Sequence, residues 1–211
     1  MLVWMVSTAL AAEATPGAWG GALIQADVPS SLRKGRGPRL WLDLHGRSSG
    51  AGFVGIARPA AGWALGRGFT VYAGYAWIGT VSDDLLVHEH RVWEQAVWAP
   101  PIKDWSLTLR PRLEQRFLDG QAEVAHRARL WGRVGVPLAP RVGLVVHDEV
   151  FVGLGATPGT KSGFDQNRLF LGPFFPLAEG GRVEVGYLHT FLDRDVDTHL
   201  HLLSTLLVVN L

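Results

Sequence analysis

The residues able to do chemistry lie at alternating positions. Arg110, Arg112, Glu114 and Arg116 share one parity, as do Arg127, Arg129 and Arg133. His199, His201 and Ser204 sit close together, and His189 precedes Thr190. A Ser or Thr nucleophile needs its base within hydrogen-bond reach. In an extended segment neighbours of opposite parity point to opposite faces, so neither couple is expected to work as a hydrolase. Asp193, Asp195 and Asp197 carry oxygen ligands at alternate spacing, but no carboxylate follows at the distance a calcium loop needs; a solvated acidic loop is expected. His88 and His90 share a face, and two ligands do not make a closed zinc site. They are expected at an interface or at a lumen mouth. Gly153-Leu154-Gly155 and Gly20-Gly21 precede no helical pattern, so they are not nucleotide loops. The expectation is no catalytic constellation, no metal and no cofactor.

The elements that position these residues are strands. Segments 18–27, 39–46, 51–59, 67–78, 87–99, 104–117, 124–136, 141–153, 164–175, 181–191 and 198–210 alternate between apolar and polar residues, with Gly, Pro, Asp or Ser between them. Many are about twice the usual globular strand length and long enough to cross a hydrocarbon layer at a tilt. One face of 107–117 reads Leu107, Leu109, Pro111, Leu113, Gln115, Phe117, and the other is charged. In a soluble barrel the apolar face would turn inward; in a membrane barrel it meets lipid and the charges line the lumen. Strand length and tryptophans near strand ends (Trp63, Trp77, Trp93, Trp98, Trp105, Trp131) favour the membrane.

Composition agrees. The chain has 211 residues, 18% of them charged, 26 Gly, 9 Trp and a net charge of +1. Near-neutral charge excludes the electrostatic footprint of a nucleic-acid binder. The absence of Cys excludes disulfides and thiol nucleophiles. Leu2–Leu10 is a short apolar run followed by Ala11, with small residues suited to cleavage, so 1–11 reads as a secretory signal and 12–211 as one domain. Short connections at Pro100–Lys103, Pro137–Pro140 and Leu177–Gly181 alternate with longer ones at Gly79–Leu86, Leu118–Gln121, Leu154–Gly163 and Leu192–Thr198. This predicts short periplasmic turns, longer extracellular loops and a periplasmic C-terminus.

His88-Glu89-His90-Arg91-Val92-Trp93-Glu94-Gln95, Arg112-Leu113-Glu114-Gln115-Arg116-Phe117, Arg127-Ala128-Arg129, Asp148-Glu149-Val150-Phe151, Phe164-Asp165-Gln166-Asn167-Arg168-Leu169 and Gly186-Tyr187 occur in that order. Together they resemble a bacterial family termed domain of unknown function 2490, whose members are expected to be outer-membrane β-barrels. The resemblance spans roughly 19–211 and implies location and fold, not an activity.

The expectation is therefore an all-β, antiparallel transmembrane β-barrel of the bacterial outer membrane, with 10 or 12 strands because such barrels favour even numbers. Its partners would be outer-membrane lipid and the barrel assembly machinery, with a small solute also possible. Hairpin centres chosen within the connections so that opposite charges meet give a lumen charge network, with Arg91 facing Glu114, Glu114 facing Arg129, Arg129 facing Glu149, Glu149 facing Arg168 and Arg168 facing Glu184; the alternative is a set of independently solvated lumen charges. The expected function is a structural barrel or narrow conduit; the alternatives are an outer-membrane lipid-modifying hydrolase and a soluble ligand-binding barrel.

Overall fold

A computed structural model of the chain describes residues 13–29, 35–50, 52–82 and 85–211. The signal segment expected over 1–11 lies outside them. The elements are β1 (Glu13–Asp27), β2 (Arg36–Ser49), β3 (Gly52–Gly66), β4 (Phe69–Ser82), β5 (Leu85–Trp98), β6 (Ser106–Leu118), β7 (Val124–Ala139), β8 (Val142–Gly153), β9 (Gly163–Pro176), β10 (Arg182–Leu192) and β11 (Thr198–Asn210), with one short 3-10 turn at Ala178–Gly180. Each segment expected to be a strand is one.

Consecutive strands pair antiparallel, and β1 pairs parallel with β11, which closes the sheet into a barrel. Among the described residues the strand number is eleven, not 10 or 12, and the sheet is mixed. The physical reason is that the seam needs only matching backbone groups. Parallel ladders supply these as antiparallel ones do, and β1 and β11 match over Glu13↔Thr198 to Gln25↔Asn210.

The connections do not separate the two ends by length. At the end carrying Leu211 they are 28–35, 67–68, 99–105, 140–141 and 177–181; at the other they are 50–51, 83–84, 119–123, 154–162 and 193–197. The connection 154–162 is long, as expected. The connection expected to be short at Pro100–Lys103 runs over 99–105, and β4 and β5 extend until two residues separate them. Strand pairing reaches into polar sequence there, because a ladder needs backbone groups and not apolar side chains. The tight turn after β3 has positive φ at Gly66, Arg67 and Gly68 (91°, 54° and 78°). A Cβ on Gly68 would lie 1.9 Å from the Ala99 carbonyl oxygen, so this corner requires glycine twice over.

The barrel wall is apolar outside and charged inside. Leu113, Leu130, Leu171, Tyr187 and Leu203 are 48–64% exposed on the outer surface, whereas Arg112, Glu114, Arg129 and Glu184 are buried within the barrel. Outward aromatics gather toward both rims: Trp63, Phe69, Trp98, Trp105 and Phe175 at the Leu211 end, and Phe53, Trp77 and Phe117 at the other. Trp93 and Trp131 depart from the rim expectation. Trp93 is fully buried, and Trp131 packs against interior arginine. Polar couples interrupt the outer face, among them Gln115 with Glu94 (3.3 Å) and Asn167 with Asp148 (2.7 Å), each hydrogen-bonded. Inside, one apolar cluster gathers around Leu23, Trp41, Tyr72, Ile78, Trp93 and Val208, and another around Trp19, Val145, Phe170, Leu188, Leu200 and Leu202.

Candidate functional site

The charged groups are brought together by β5 to β10. Alternation sends Arg91, Arg112, Glu114, Arg127, Arg129, Glu149 and Arg168 into the interior. The register then decides which of them meet. Glu149 lies opposite Arg168, as expected. The other pairings differ: Arg91 lies opposite Arg116, Glu114 opposite Arg127, and Arg129 opposite Phe151. Each is two residues from the expected partner. Such a shift keeps every side chain on its face, and a diagonal neighbour stays within reach of a long side chain.

Glu114 is 1% exposed and is the hub. Arg127 donates to its Oε2 through Nε (3.0 Å) and Nη2 (2.6 Å), and Arg129 Nη1 donates to Oε1. Arg91 Nη1 and Arg112 Nη1 stand 3.6 Å away on the two oxygens. Arg129 bridges to Glu149, donating to Oε1 through Nε (3.0 Å) and Nη2 (2.6 Å), and Arg168 Nη1 is 3.8 Å from Glu149 Oε2. Phe151, fully buried, carries Arg127, Arg129 and Arg168 on its ring at 5.0, 4.5 and 4.5 Å. Forked guanidinium–carboxylate bonds over an aromatic ring hold these groups in fixed positions.

Arg168 and Glu184 do not pair. The β9–β10 turn centres near residue 179, which places Arg168 opposite Thr190 and Glu184 opposite Phe174. Glu184 instead accepts from Arg182 Nε (2.6 Å) and Arg133 Nε (3.0 Å). Further couples extend the interior network. Glu89 accepts from Arg91 and Arg116 (2.7 and 2.5 Å), Asp165 from Arg194 (2.7 Å), and Asp43 lies 2.7 Å from Arg58 and also beside His45. The expected network holds one charge per strand and so omits Arg127, although it shares the face of Arg129. It left out Asp43 and Arg58 as well, which the β2–β3 hairpin centre would have paired.

The other candidates separate. Ser204 is buried in the interior, and His199 and His201 lie on the outer face with His189. His189 Nε2 is 2.9 Å from His199 Nδ1, and the Tyr187 hydroxyl is 2.5 Å from His201 Nδ1. His88 and His90 also face outward, beside Trp77 and Tyr75. In the acidic loop Asp193 is 2.6 Å from Lys161.

Spaces remain inside the barrel and at its mouths. One, about 430 Å³, opens at the Leu211 end, and one of about 620 Å³ opens at the other, beside Arg116, Lys161, Asp193 and Arg194. An inner chamber of about 100 Å³ lies between Asp43, Arg110, Arg129, Glu149, Arg168 and Glu184. The ion-pair network occupies the interior between the mouths.

These features define the class: a closed all-β barrel with an apolar outer wall and a charged interior. Residues 18–200 match the family described as protein of unknown function (DUF2490), and the chain belongs to it. An uncharacterised protein of Methylorubrum extorquens is similar, with 34% identity over 143 residues, covering 64% of this chain and 61% of that protein. The chain thus spans about three fifths of that relative's length. No solved structure matches the chain.

Proposed function

We propose that the protein is an outer-membrane β-barrel without a catalytic centre, a structural barrel or narrow conduit whose lumen is held by the arginine–carboxylate network. The observation that carries this reading is the distribution of residues across the wall. Leu113 and Leu130 face out at 50% and 55% exposure while Glu114 and Arg129 face in at 1% and 5%. In water that arrangement exposes apolar surface and buries charge, both unfavourable; in lipid the outer wall is matched to its solvent. Strands of 11 to 16 residues are long enough for the hydrocarbon layer, and aromatics toward both rims suit the two interfaces. A soluble ligand-binding barrel needs the opposite distribution. A lipid hydrolase built on Ser204 cannot use His199 or His201, which lie on the other side of the wall.

The test is fractionation of cells producing the full chain, followed by a gel comparing heated and unheated samples. Recovery with outer membranes and a heat-dependent shift in migration are expected. Full-length protein in the cytosol would overturn the reading.

A further inference from the structure

We propose that the vestibule at the Leu211 end is a binding site for a small organic anion with a flat apolar part, held by Arg110. The inference goes beyond the barrel's location and stands on the interior alone.

Arg39, Arg67, Arg110 and Arg182 line the vestibule, and no Asp or Glu is among its described lining residues. Asp27 neutralises Arg39 (2.6 Å), and Glu184 neutralises Arg182 (2.6 Å). Arg67 sits exposed in the β3–β4 turn. Arg110 is different. It projects into the barrel from β6, and no carboxylate among the described residues lies within ion-pair distance of it. Its guanidinium stacks on Trp131 at 4.3 Å and meets Trp41 at 5.5 Å. The indole N–H of Trp41, in the same wall, has no acceptor among the described residues.

An inward arginine with no carboxylate in contact is costly wherever water is scarce. The other inward arginines described above are met by acids; this one is met by aromatic faces. Rings on its faces leave its N–H edge for hydrogen bonding, the geometry that grips a carboxylate or phosphate with two bonds. Arg110, Trp131 and Arg182 also line the inner chamber, so the anion would lie where vestibule and chamber meet. A cavity of about 430 Å³ with Trp41 and Tyr72 in its wall is of the size that holds small molecules. The apolar part would pack on those rings, and the anionic end would face Arg110.

The probe is phenyl phosphate, titrated into the full chain in non-ionic detergent, with heat release and tryptophan emission as readouts and phenol as the neutral counterpart. Saturable binding of phenyl phosphate at least tenfold tighter than that of phenol is expected. Arg110→Gln should weaken it at least tenfold, whereas Arg141→Gln, an exposed change at the same end outside the cavity, should leave it unaltered. If Arg110→Gln does not give a folded barrel, Thr108→Trp decides by filling the vestibule; loss of binding in that variant supports the site. No saturable binding to the parent, equal affinity for phenol, or unchanged binding in a folded Arg110→Gln or Thr108→Trp variant would overturn it.

Discussion

Glu114 carries the interior more than any other side chain. Four guanidinium groups surround it at the centre of the barrel, and its removal leaves them repelling one another. Breaking a buried pair on one side is strongly destabilising. Glu114→Gln is expected to cost about 3–5 kcal/mol by denaturant unfolding in detergent. Glu94→Gln, a change on the outer wall, should cost far less; equal losses would remove the hub. Arg129 and Glu149 share two hydrogen bonds, so replacing both should cost less than the sum of the single changes, with a coupling of about 0.5–3 kcal/mol. Strict additivity in that cycle would mean that the two groups act independently. Arg91, Glu114, Arg129, Glu149 and Arg168 were readable as inward charges because parity alone assigns a face. The contacts were harder to read, since a buried carboxylate recruits every arginine within reach, including Arg127 from the same strand as Arg129.

Among the elements, β9 and β10 show how close two strands can be drawn. Gly172 and Gly186 face each other there, and a Cβ on Gly172 would lie 2.2 Å from the Val185 carbonyl oxygen and 2.6 Å from Gly186 Cα. Gly172→Val must push the strands apart, and a loss of about 1–3 kcal/mol is expected, the usual range for overpacking. Gly20→Ala on β1 meets nothing within 4 Å and should be close to neutral. If the two variants melt alike, the pinch carries no strain. All eleven strands were legible because apolar alternation survives single exceptions such as Glu94. Register was not legible, since sliding a hairpin by two residues leaves the alternation intact. Only the turn fixes it, and the 3-10 turn at Ala178–Gly180 carried Arg168 well away from Glu184.

For the whole molecule, the apolar wall and the filled interior make separate predictions. Leu130→Arg should cost about 2–4 kcal/mol if that residue lies near the bilayer midplane; refolding into lipid vesicles at parental yield and stability would invert the assignment of faces. Planar-bilayer recordings of the parent should show little steady current, because ions must displace paired arginines to pass, and a large open conductance would contradict the filled lumen. The evenness expected for the strand count was a regularity of other barrels, and no residue in this sequence argued for it. The parallel seam between β1 and β11 has a practical consequence. An odd number of crossings leaves Glu13 and Leu211 at opposite openings. If the barrel spans a membrane as proposed, epitopes inserted beside Glu13 and Leu211 would report on opposite sides of it in a protease-shaving assay. For the same reason, a short linker cannot join Leu211 to Glu13: it must first run the length of a strand, about 40 Å or a dozen extended residues.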